Sequence, residues 1–300
     1  METGENLSKK NNIVLVAIIV SCILFVCVFF LEKSKYLFDI IPMFRGEVSL
    51  NNDMVITTTN SKLPIIVKKN DPFMANQLRF FGNIKSDFAK ISDFLCRNGD
   101  VVIEVGSYFG YNSITLGNRL RGNGKLYAFE PNAHIFSFLK KSVMLNDLEN
   151  TVVLHNVAVS NKQGVCDIED VFHLAKTKNG SVEQSRPISV NCIALDSAME
   201  KINKKPVDLL LIDVPGQEFQ IIDGASEIIK KSPNITIIMM FSQQESSQSV
   251  NVYSEIENLI KQGFRFYWCD DKKKIYPLKA TPEDIIEKNK AILIISRKQF

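Results

Sequence analysis

Along most of the chain, short apolar runs alternate with longer segments of helical period. The runs are 101–105, 125–129, 151–155, 207–213, 234–241, 264–269 and 291–296. They are rich in Val, Ile, Leu and Phe and almost continuous in apolar residues, as strands buried on both faces are. Between them, 111–121, 132–146, 217–231 and 251–262 repeat apolar residues at intervals of three and four, the stripe of an amphipathic helix. The alternation predicts an α/β fold: a Rossmann-like, doubly wound, mainly parallel sheet with helices on both faces. The last two strands predict an antiparallel edge. One polar stretch, 164–191, breaks the rhythm; its strand-like pieces at 165–168 and 188–193 predict an inserted hairpin placed over the pocket.

Ahead of the first core strand, Phe80, Phe81, Ile84, Phe88, Ile91 and Leu95 lie at helical spacing, predicting one helix over 76–97 that ends at Asn98-Gly99-Asp100. Further back, 55–59 and 63–67 flank Asn60-Ser61-Lys62 as a hairpin would. The pattern changes again at 13–31, nineteen residues without a charge. At about 1.5 Å per residue such a helix approaches the ~30 Å hydrocarbon core of a bilayer. The run is long for a signal peptide, and no small-residue cleavage pattern follows it. It is read as a retained transmembrane helix of a single-pass membrane protein. The chain then divides into a tail (1–12), an anchor (13–31), a juxtamembrane segment (32–75) and one α/β domain (76–300). Lys9 and Lys10 before the anchor nearly balance Lys33 and Lys35 after it, so charge does not set its orientation.

The net charge of +3 is spread along the chain, and the one tight basic run after the anchor, Lys272-Lys273-Lys274, reads as a solvated turn. No basic stripe carries interleaved aromatics, which argues against a nucleic-acid partner. The six cysteines have no C-x-x-C pair and no metal pattern. The four after the anchor read as buried thiols, and in an oxidising lumen Cys166 and Cys192 would face each other on neighbouring strands. His134, His155 and His173 lack ligands at metal spacing and read as structural.

The chemistry gathers at strand ends. The run at 101 ends in Glu104, followed by Gly106 and Gly110; the run at 125 ends in Glu130; the run at 207 ends in Asp213, followed by Gly216 and Glu218. In a doubly wound sheet, ligands sit beyond the carboxyl ends of the strands, so these acids converge on one crevice. Gly106 lets the chain turn sharply off its strand and lets a ligand approach. Glu130 follows Glu104 by 26 residues, near the spacing of an acid that binds ribose hydroxyls. The G-x-G-x-x-G fingerprint is incomplete, which disfavours a pyrophosphate cofactor. Acids beside the loop favour a cationic, ribose-bearing ligand, and S-adenosylmethionine has an amino group, a sulfonium and a ribose.

The segments IEVGSYFGYNS, LYAFEPN, VLHNVAVSNKQG, LIDVPGQEFQIIDGA and GFRFY occur in the order and spacing of the FkbM-type S-adenosylmethionine-dependent methyltransferases, which this chain resembles over roughly 83–295. The resemblance implies a class I methyltransferase fold and transfer of a methyl group to a hydroxyl of a sugar or small molecule. By position, Glu104, Gly106, Ser107 and Gly110 would form the first cofactor loop, and Glu130 would hold the ribose. Asn156, Val157 and Ala158 would border the adenine. Asp213 and Gly216 would face the methyl group, with Asp213 and then Glu218 as candidate bases. Three departures stand out. Ser107-Tyr108 replaces the family's Ala-Asn, with Tyr108 adding bulk beside the methionine end. Leu211-Ile212-Asp213-Val214-Pro215-Gly216 replaces Lys-Ile-Asp-Val-Glu-Gly. Met239-Met240-Phe241-Ser242 ends a strand that often closes with Glu. They imply an unusual acceptor, or a membrane-tethered binding protein that keeps the fold without catalysis. The cytosolic origin of the methyl donor slightly favours a cytosolic catalytic domain.

Overall fold

A computed structural model describes residues 47–71, 73–84, 86–170, 187–200, 205–242, 251–269, 274–279, 281–287 and 291–300. The anchor expected at 13–31 and residues 171–186 of the expected insert lie outside these residues. Among the described residues no helix is long and apolar enough to cross a membrane. One compact unit runs from Val48 to Phe300.

Its centre is a mixed eight-stranded sheet. Five strands are parallel: β4 (Val101–Val105), β5 (Lys125–Phe129), β6 (Val152–His155), β10 (Leu209–Ile212) and β11 (Thr236–Phe241). Three antiparallel pairings follow, through β14 (Ala291–Ser296), β12 (Arg265–Cys269) and β13 (Ile275–Pro277). The spatial order is β13-β12-β14-β11-β10-β4-β5-β6. From β4 the chain winds outward to β5 and β6, then returns to β10 on the other side of β4. In a doubly wound sheet such a reversal, here between β4 and β10, marks where ligands bind beyond the carboxyl ends of the strands.

Strand alternation sends side chains to two separate cores. Val102, Leu126, Ala128, Leu209 and Leu211 pack on one face. It is covered by α1 (Ala75–Phe81), α2 (Asp87–Leu95), α3 (Tyr111–Leu120) and α4 (Ala133–Leu145). Ile103, Val105, Phe129, Leu210 and Ile212 pack on the other face. It is covered by α5 (Leu195–Met199), α6 (Glu218–Asp223), α7 (Ser226–Lys231), α8 (Val252–Lys261) and α9 (Pro282–Ile286).

Two helices expected as single are broken. The segment 76–97 forms α1 and α2, because Gly82 ends α1 in the left-handed region at φ 67° and Ser86 caps α2 from Ala89 N–H. The segment 217–231 forms α6 and α7. Gly224 lies against a neighbouring loop so closely that a Cβ would fall 2.1 Å from Ser160 O. Asp196 then caps the new helix, accepting from Glu227 and Ile228 N–H at 2.9 Å each.

The inserted hairpin is present as β8 (Gly164–Glu169) and β9 (Pro187–Ala194), joined by β7 (Ala158–Ser160) into a small sheet of order β7-β9-β8. Cys166 pairs with Val190 and Cys192 with Gly164, so the two free thiols sit diagonally on one face. The N-terminal hairpin is a third sheet, β1 (Val48–Ser49), β2 (Met54–Thr58) and β3 (Pro64–Lys68). It belongs to the same core as α4: Val55, Ile65 and Val67 pack with Phe138, Leu139 and Val143. Ser142 Oγ accepts from Ile66 N–H at 3.0 Å, and Asn146 donates to Pro64 O at 2.7 Å. Residues 48–75, read from the sequence as juxtamembrane, are therefore built into the α/β unit.

Candidate active site

The three acids stand at the carboxyl ends of adjacent strands, and each is held differently. Glu104, the fourth residue of β4, is 2 % exposed and points into the core face that α3 covers. Its Oε2 accepts from Ser113 Oγ at 2.5 Å. Burial pushes its carboxyl up to about 7, the Ser113, Ser107 and Asn112 side chains oppose that rise, and the nearby Asp213 charge adds to it.

Glu130 follows β5 and is 5 % exposed. Its two oxygens accept from main chain on either side: Oε2 from Tyr108 N–H at 3.0 Å and Oε1 from Asn132 N–H at 2.9 Å. Burial lifts it to about 7 against those two hydrogen bonds. A carboxylate has about four lone-pair sites, so about two remain for a diol.

Asp213 follows β10. It is crowded by protein, which pushes its carboxyl up to about 6, yet its side chain opens to solvent. That combination places it in the wall of a crevice. Among the described residues no Lys, Arg or His forms an ion pair with Glu104, Glu130 or Asp213. Two buried acids and a third open to solvent, none of them ion-paired among the described residues, suit a cationic ligand.

The loops between the acids are built by glycine. Gly106 has φ 89°, and a Cβ there would lie 2.5 Å from Asp213 O and 2.9 Å from Val214 Cγ2. The loops after β4 and β10 touch at this point. Gly110 (φ 92°) begins α3 against Leu139, whose Cδ1 would be 2.5 Å from a Cβ. Ser107 is buried, and its Oγ has no hydrogen-bond partner of good geometry. A buried hydroxyl beside the glycine turn, two lone pairs on Glu130 and uncompensated acids together fit S-adenosylmethionine.

The other expected residues are placed less simply. Asn156 spends its side-chain amide on the carbonyls of Glu130 (2.8 Å) and Pro131 (3.0 Å), bracing the loop that carries the acid. Ala158 is buried in β7, paired with Cys192. Glu218 begins α6 and has 0 % exposure. Gly216 turns the chain between Asp213 and α6 at φ 83°. His155 stacks on Phe129 at 4.6 Å, and burial lowers its pKa. The bulk of Tyr108 is tied back: its hydroxyl donates to Asp71 Oδ1.

Sequence reasoning passed over Ser113, Asn132 and Asp71. Asn132 had a readable signal, Pro-Asn ahead of a helical period; it caps α4 from His134 and Ile135 N–H and also reaches Asp170. Ser113 and Asp71 had none, because only the fold brings them against Glu104 and Tyr108, nine and 37 residues away in sequence.

A glycine turn at the switch point of the parallel strands, with acids at three neighbouring strand ends, is the layout of a Rossmann-like nucleoside-binding fold. The match of the Methyltransferase FkbM domain to residues 104–266, more than half the chain, makes it specific: the protein belongs to the FkbM methyltransferase family. No curated protein sequence matches the chain. Solved structures with a similar fold include a SAM-dependent O-methyltransferase from Thermotoga maritima (15% identity, 82% of this chain and 79% of that one, TM-score 0.41). An O-methyltransferase from Bacillus cereus in complex with SAH shares 13% identity over 72% of this chain and 82% of that one, at a TM-score of 0.43. An rRNA methylase from Streptococcus thermophilus shares 11% over 70% and 94%, at 0.40. At these scores the likenesses add nothing to the family match.

Proposed function

We propose that the protein is a membrane-anchored, S-adenosylmethionine-dependent O-methyltransferase acting on a hydroxyl of a glycan or small molecule. The observation that carries the cofactor reading is the set of three acids around the Gly106 turn that have no ion-pair partner among the described residues. Bound there, the cofactor would supply an electrophilic methyl group on a sulfonium. Glu130 would accept from the ribose hydroxyls, and Tyr108 and Asn132 N–H keep its carboxylate aimed. Glu104, fixed by Ser113, places negative charge beneath the loop. Asp213, the acid open to solvent, would take the proton of the acceptor's hydroxyl. Glu218 has no exposed surface from which to reach an acceptor, so Asp213 is the favoured base. Anchoring rests on the apolar run at 13–31.

The test is transfer of labelled methyl from S-adenosylmethionine to a panel of hydroxyl-bearing glycans and small molecules by the full-length chain. Transfer that Asp213→Asn lowers by about 10²-fold or more supports the reading. Cofactor binding without transfer to any acceptor favours a tethered binding protein instead.

A further inference from the structure

Tyr108 stands where the resemblance puts Asn, and its backbone lies in the left-handed region at φ 50°. A bulky side chain is uncommon there and costs free energy. Two contacts hold it. The ring packs on Phe109 with centroids 4.3 Å apart, and the hydroxyl donates to Asp71 Oδ1, 37 residues upstream. Asp71 is itself fixed and buried. Its Oδ2 accepts from the N–H groups of Phe73 (3.1 Å), Met74 (2.6 Å) and Ala75 (2.9 Å), and its own N–H donates to Lys68 O at 3.1 Å. Lys68 ends β3, which is docked on α4 through Ser142 and Asn146. The far end of this series is the cofactor site, because the left-handed turn aims Tyr108 N–H at Glu130 Oε2.

We propose that Asp71 and Tyr108 are positioning residues for the cofactor. The N-terminal hairpin, through the Asp71–Tyr108 hydrogen bond, sets the first loop so that Glu130 is held ready for the ribose. The inference rests on the S-adenosylmethionine reading of the site. It gives a part in cofactor affinity to Asp71, which lies outside the matched domain. Neither residue touches the reacting atoms.

Tyr108→Phe keeps the ring and removes only the hydroxyl. Two measurements on the full-length chain decide the matter: calorimetric titration of S-adenosylmethionine, and amide hydrogen exchange of the ligand-free protein. The variant is expected to bind about fivefold more weakly, the scale of one lost hydrogen bond. The amide of position 108 is expected to exchange several-fold faster, with β4 and α3 still protected. A merely structural bond would lower the melting temperature and leave the affinity of the folded protein alone. Unchanged affinity or unchanged exchange at position 108 overturns the inference. A wild-type chain that does not bind the probe contradicts the cofactor reading instead, and the exchange result still decides whether the hairpin restrains the loop.

Discussion

Gly106 and Asp213 are packed so closely that no side chain fits between them. A Cβ on Gly106 would stand 2.5 Å from the Asp213 carbonyl oxygen, which is backbone and cannot swing aside. The contact joins the loops after β4 and β10, so the proposed cofactor loop and the proposed base are packed on each other.

Gly106→Ala therefore meets two obstacles, the clash and a φ of 89° that L residues rarely adopt. It should destabilise the protein by on the order of 2–4 kcal/mol. Denaturant unfolding checks the cost. S-adenosylmethionine affinity of the folded fraction should fall as well, since the wall must shift.

The acids predict a proton signature. Glu104 and Glu130 both titrate near 7 in the ligand-free chain, so at pH 7 each is about half protonated. A cation and ribose hydroxyls favour the ionised forms, lower both pKa values and expel protons. Binding at pH 7 should release up to about one proton per cofactor. Calorimetry in buffers of different ionisation enthalpy reads this number; proton uptake would be the wrong sign.

The same shifts act on stability without ligand. Each carboxyl is raised from its ordinary 4.5, so between about 4.5 and 7 the folded state holds more protons than the unfolded one. That stabilisation is fully present below about pH 4.5 and is lost as pH rises through about 7. Glu104→Gln, which leaves an acceptor for Ser113, should flatten its share of the slope. Melting temperatures measured from pH 5 to 8 for both proteins make the comparison.

Much of this was legible in the sequence, for identifiable reasons. Strands 101–105, 125–129 and 291–296 emerge with the bounds expected, because a strand buried on both faces leaves no ambiguity in its apolar run. The acids Glu104, Glu130 and Asp213 were marked by ending such runs. What was not legible depends on contacts across the chain. Gly224 reads as a tolerable helix residue until Ser160 O is seen beside it. Tyr108 reads as bulk near the methionine end until Asp71 takes its hydroxyl. The short strands β1, β7 and β13 have two or three residues each and too little period to detect.

The anchor has its own test. The full-length chain should remain with membranes after alkaline carbonate extraction, and a chain lacking residues 1–31 should not. Release of the full-length chain would remove membrane anchoring from the proposal and leave the catalytic reading standing.

The most direct measurement is calorimetric titration of S-adenosylmethionine into the full-length protein, with Glu130→Ala beside it. The account predicts saturable one-to-one binding that the substitution abolishes while the variant stays folded. A folded wild-type protein with no heat of binding at millimolar cofactor, or equal binding by Glu130→Ala, would contradict it.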